Sequence, residues 1–96
     1  MKSSNDEGGW WRFLALCLEI ESAEQLDHFF DLFLTMEEKK DLTNRYLIVQ
    51  ELLKGELTQR EIASELQVSI ANITRGSNGI KRIGDDLRNF LIERLK

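Results

Sequence analysis

Between Trp10 and Ile20 the chain reads Trp-Trp-Arg-Phe-Leu-Ala-Leu-Cys-Leu-Glu-Ile, apolar at nine of eleven positions. Wound into a helix, this stretch is greasy on nearly every side, whereas a helix on the surface of a globular domain carries a single apolar stripe. A chain of 96 residues makes about one domain and buries only a modest fraction of its surface. It can cover one face of such a helix but not all of them. The feature therefore predicts a second subunit, and a two-fold homodimer is the commonest form that takes. The alternative is a hydrophobic helix at the centre of a monomeric core.

The rest of the sequence reads as helix throughout. There is no proline, so no helix interior is interrupted by a missing N–H donor. Ser22-Ala-Glu-Gln25, Thr35-Met-Glu-Glu38 and Thr58-Gln-Arg-Glu61 each have the capping-box pattern that opens a helix. Leu26, Phe29, Phe30 and Phe33 give the first of these an apolar face. The second is predicted to run to about Lys54, where Gly55 stops it, with Met36, Leu42, Tyr46, Val49, Leu52 and Leu53 along its apolar side. Ile62, Ala63 and Leu66 form the inner face of the third. Gln67-Val68 then breaks it, Ser69 caps a short helix anchored by Ile70 and Ile73, and Gly76-Ser-Asn-Gly79 ends that helix near Arg75. Asp85 is placed to cap a last helix with Leu87, Phe90, Leu91 and Leu95 on one side. The expectation is an all-α fold of about six helices, with residues 1–9 as a flexible polar tail and 10–96 as one helical domain.

Composition narrows the function. The lone Cys17 cannot form an internal disulfide, which fits a reduced cytosolic chain. His28 has no second histidine near it, so no metal site is expected. No apolar run approaches the roughly 18 residues of a membrane helix. A cytoplasmic location, without membrane contact, is therefore expected. No Ser/His/Asp set, metal-ligand spacing or phosphate-cradling glycine loop appears, which argues against an enzyme. The net charge of -4 is unevenly spread: residues 1–56 carry 6 basic and 12 acidic side chains, residues 57–96 carry 7 and 5. The C-terminal part is thus the half suited to a polyanion.

That part contains a candidate helix-turn-helix at about residues 58–75. A small residue (Ala63), a break (Gln67-Val68) and an apolar anchor (Ile73) stand where two helices must cross closely. Gln67 occupies the turn position where glycine is usual, because glycine accepts positive φ freely. On the second helix Ser69, Ile70, Ala71, Asn72 and Thr74 are predicted to face DNA. Asparagine can pair with adenine, and alanine or threonine can touch the thymine methyl. Gln59, Arg60, Lys81 and Arg82 would hold phosphates or neighbouring base edges. In a dimer two such helices should stand about 34 Å apart and read a near-palindrome. An ordinary helical hairpin with a polar face, in a helical interaction or adaptor protein, is the competing reading.

The runs Gly55-Glu-Leu-Thr-Gln-Arg-Glu61 and Ile73-Thr-Arg-Gly-Ser-Asn78 resemble the bacterial tryptophan repressor family. Leu34-Thr35, Thr43-Asn-Arg45 and Glu51-Leu-Leu-Lys-Gly-Glu56 are similar to it as well. This resemblance implies an intertwined homodimer that represses tryptophan biosynthesis genes, with L-tryptophan as corepressor and no other cofactor. It implies that Arg45 and Arg75 sandwich the indole and that Gly76 lies tightly beside it. Leu32, Leu34 and Thr35 would contribute from the other subunit. Gly79 stands where the family commonly has a serine near the amino group. Ser69, Asn72 and Ala63 also depart from the family pattern. A relative that binds DNA without a ligand is the alternative within the same class.

Overall fold

The computed structural model describes residues 2–95, so Met1 and Lys96 lie outside it. Six helices account for the described chain: α1 (Lys2–Glu19), α2 (Ala23–Phe33), α3 (Met36–Lys54), α4 (Gln59–Leu66), α5 (Ile70–Arg82) and α6 (Asp85–Leu95). Residues 2–9, expected as a tail, continue the first turns of α1. The helices group into two compact units, Met1–Met36 and Glu37–Lys96.

In the first unit, Ser22 starts α2 as its sequence predicts, its Oγ accepting from the Gln25 N–H at 3.0 Å. Phe13 of α1 sits among the aromatics of α2, with ring centroids 5.5 Å from Phe29 and 5.2 Å from Phe33. Trp10 stacks on Phe13 from one turn earlier. Despite this cluster, α2 has no buried residue, and Trp11, Leu16 and Leu18 of α1 are exposed.

The second unit has a small core in which Ile48 of α3, Ile62 of α4 and Ile73 of α5 are each at most 1% exposed. Leu52, Leu57, Ala63, Leu66 and Val68 pack around them. Burial of each isoleucine contributes roughly 1.5–3 kcal/mol. The residue of α3 that anchors this core is Ile48, not one of the apolar side chains its periodicity picked out. Tyr46, Leu42 and Met36 are exposed instead. Helix α3 is apolar on two sides, and spacing cannot say which side faces its own chain.

The α4–α5 connection is fixed by three devices. Thr58 and Glu61 complete a reciprocal capping box, with bonds of 3.1 and 2.8 Å. Gln67 takes the left-handed conformation, φ 56° and ψ 48°, and the Val68 N–H returns to the Ala63 carbonyl at 3.1 Å. Ser69 caps α5 by accepting from the Asn72 N–H at 3.2 Å. A non-glycine residue in this conformation is strained by about 1–2 kcal/mol, partly offset by the greater chain entropy that glycine would bring to the unfolded state. Gln67→Gly is therefore expected to raise stability by about 0.5 kcal/mol, read as a small upward shift of the urea midpoint. A lower midpoint would show that the Gln67 side chain contributes more than its backbone strain takes away.

Helix α5 corrects the sequence reading. It does not stop at Arg75 but continues to Arg82. Gly76 is not a terminator. It is buried, and a Cβ built there would lie 2.9 Å from Ile48 Cγ2 and 3.5 Å from Leu52 Cδ1. Its missing side chain is what lets α5 approach α3. Ile70, expected as an anchor, is 49% exposed, and Ile73 alone of the pair is in the core. Beyond α5, Gly84 rather than Asp85 precedes the first turn of α6: the Arg88 N–H bonds to the Gly84 carbonyl at 3.0 Å. The Arg88 side chain reaches back to the Ile80 carbonyl at 2.7 Å and the Ile83 carbonyl at 3.4 Å, while pairing with Asp85 at 2.9 Å. A guanidinium on the last carbonyls of a helix satisfies acceptors that have no partner within it.

Candidate functional site

Because Gly76 lets α5 close on α3, side chains from both helices surround a shared space. A cavity of about 290 Å³ is lined by Arg45 and Val49 of α3, by Arg75, Gly76, Gly79 and Ile80 of α5, and by Ile83 and Leu91. This lies near the small end of the range for small-molecule pockets, roughly 300–1,000 Å³. Four of the seven positions singled out for a ligand (Arg45, Arg75, Gly76 and Gly79) meet here. The other three, Leu32, Leu34 and Thr35, belong to the first unit: Leu32 lies on α2, and Leu34 and Thr35 link α2 to α3.

The chemistry of the cavity is simple. Its walls are aliphatic apart from the two guanidinium groups. Planar guanidinium groups stack on aromatic faces and bind carboxylates through paired N–H donors. The lining residues of this cavity carry no carboxylate and no hydroxyl, so an anionic or planar aromatic guest suits it better than a cation. A Cβ at Gly79 would meet nothing within 4 Å, so the missing side chain leaves room at that wall.

Val49 and Leu91 are expected from the sequence only as apolar-face residues, and Ile80 and Ile83 carry no sequence expectation; the fold puts all four in the cavity wall. Val49 is four residues from Arg45 and Ile80 four from Gly76, so helical spacing relates each pair. The signal for Ile80 was hidden by ending α5 at Arg75.

On the outside of α4 and α5, Gln59, Arg60, Ser69, Ile70, Ala71, Thr74 and Lys81 are all exposed, and Asn72 is half-buried. The Ser69 oxygen already accepts the capping bond, which leaves its hydroxyl proton free to donate. A second, polar cavity of about 150 Å³ adjoins this surface. It is lined by Asp41, Asn44, Arg45, Ile48, Asn72 and Arg75, and Arg75 Nη1 donates to Asn72 Oδ1 at 3.4 Å. No cluster of metal-ligating side chains occurs among the described residues. None of the described helices is long and apolar enough to cross a membrane.

Comparison with known proteins matches the chain, over residues 8–95, to the family described as Trp repressor protein. Several relatives are called Trp operon repressor homolog. The one from Chlamydia caviae is 50% identical over 91 residues, covering 95% of this chain and 90% of its own. That of Chlamydia trachomatis serovar D is 48% identical over 88 residues, 92% and 94% of the two chains. That of Vibrio cholerae serotype O1 is 40% identical over 86 residues, 90% and 84%. A six-helix chain with this likeness along nearly its whole length belongs to the Trp repressor family of DNA-binding transcriptional regulators.

Proposed function

We propose that the protein is a homodimeric repressor that binds L-tryptophan as corepressor and then a near-palindromic operator controlling tryptophan biosynthesis genes. The observation that carries this reading is the placement of Arg45 and Arg75, on different helices, in the wall of one apolar cavity. The indole would lie against their guanidinium planes, and Arg75 is suited to take the carboxylate. Leu32, Leu34 and Thr35 are assigned to the partner subunit's share of the site. Ser69, Ile70, Ala71, Asn72 and Thr74 would meet the major groove, with Gln59, Arg60 and Lys81 on phosphates.

A dimer is supported by the first unit. Trp11, Leu14, Ala15, Cys17 and Leu18 line an open apolar groove on α1, and each large side chain that a second copy removes from water contributes roughly 1.5–3 kcal/mol.

The cavity abuts α5, so a ligand within it can bias where that helix stands. Tryptophan must bind the DNA-competent arrangement more tightly, and by linkage DNA must tighten tryptophan by the same factor. Titration calorimetry with L-tryptophan, followed by gel shift against randomised duplexes with and without it, tests the proposal. Binding heat and tighter retention of a selected duplex are expected. No heat and no change in retention would leave a ligand-independent DNA-binding relative as the better reading, a role that the in-chain Arg75–Asn72 bond would also suit.

A further inference from the structure

We propose that Arg75 couples occupancy of the apolar cavity to the hydrogen-bonding face that Asn72 offers to DNA, so that the ligand alters which base is selected as well as how tightly DNA is held. This rests on the reading of the cavity as the ligand site and of Asn72 as a base-contacting residue. Arg75 lies in the wall of both cavities, the apolar one toward Ile80 and Leu91 and the polar one toward Asp41 and Asn44. One turn back along α5, its Nη1 donates to Asn72 Oδ1 at 3.4 Å. That is a long bond, readily exchanged for a better one.

An asparagine amide has one acceptor oxygen and an NH₂ with two donors. While Oδ1 is turned to Arg75, Asn72 presents chiefly its NH₂. A donor alone suits the N7 of either purine and the O6 of guanine. Bidentate pairing with adenine requires the oxygen as well, to accept from N6. A ligand carboxylate competes for the same guanidinium with both partners ionised and with two parallel N–H···O bonds, against a single bond to a neutral amide oxygen. Drawing Arg75 toward the apolar cavity frees Oδ1 and completes the adenine-reading pair. Occupancy of the cavity thereby becomes a change in base preference at one position of each half-site.

The test starts from a duplex selected out of a randomised library in saturating L-tryptophan. Dissociation constants are then measured at low salt, with and without L-tryptophan, for that duplex and for versions in which each adenine is replaced symmetrically by guanine. At one position the preference for adenine over guanine is expected to rise at least about 5-fold on adding L-tryptophan, the low end of what a bidentate contact discriminates. The rise should vanish in Asn72→Ala. Preferences that are equal with and without L-tryptophan, while calorimetry shows it bound and overall affinity still increases, would overturn the coupling and leave the corepressor reading intact. A rise that persists in Asn72→Ala would overturn it too. Absence of L-tryptophan binding would overturn both.

Discussion

Gly76→Val should destabilise the protein by about 2 kcal/mol or more, whereas Gly79→Ala, three residues further along the same helix, should stabilise it by roughly 0.5–1 kcal/mol. Both glycines lie inside α5 and line the apolar cavity, so composition and local propensity treat them alike. They differ in what their missing side chains would meet. At position 76 a Cβ would be forced to 2.9 Å from Ile48 Cγ2, and valine adds two further methyl groups against the best-packed residue of α3. Overpacking of this kind costs about 1–3 kcal/mol, occasionally more. At position 79 a Cβ would meet no neighbouring side chain or other element within 4 Å, so alanine gains the helix propensity that glycine lacks, about 0.5–1 kcal/mol. Urea unfolding at fixed protein concentration, with unchanged m-values, is the measurement. A neutral Gly76→Val would mean that α3 and α5 can separate without loss, and the account of the cavity would fall with it.

Arg75→Ala is expected to weaken L-tryptophan binding about 30- to 150-fold while leaving helix content unchanged. Arg75 is exposed and takes no part in the isoleucine core, so its removal should not disturb folding. What is lost is a guanidinium against an aromatic face together with a charge-assisted bond to a carboxylate, about 2–3 kcal/mol combined. Calorimetry and circular dichroism on the same sample separate the two expectations. An unchanged dissociation constant would remove Arg75 from the site and favour its use as a phosphate or structural contact.

The caps are the part of this fold most legible in the sequence. Ser22, Thr58, Gly55 and Ser69 all act where their spacing places them, because a capping bond spans three residues and is decided locally. The positive φ at Gln67 was legible for the same reason. Failures occur where a residue has two local meanings. Gly76 has the local chemistry of a helix stop, but the neighbouring α3 gives it a packing role. Ile70 and Ile73 are equally apolar and on nearly the same face, yet only Ile73 reaches the point where α5 meets α4 and α3. Tyr46 and Ile48 are two residues apart on α3, and periodicity favoured the one that the fold leaves exposed.

By itself the sequence determined the helices: six segments without proline, several of their ends set by caps that bond within three or four residues, while Arg45 and Arg75 were paired only through the resemblance to the tryptophan repressor family. Tertiary structure alone decided that α5 runs on to Arg82, that Ile48 anchors the core, and that Val49, Ile80, Ile83 and Leu91 complete the wall around the two arginines. The physical reason is the distance between α3 and α5. It is set by an absent Cβ at Gly76 against Ile48, a steric fact between residues 28 positions apart that no local pattern along the chain records.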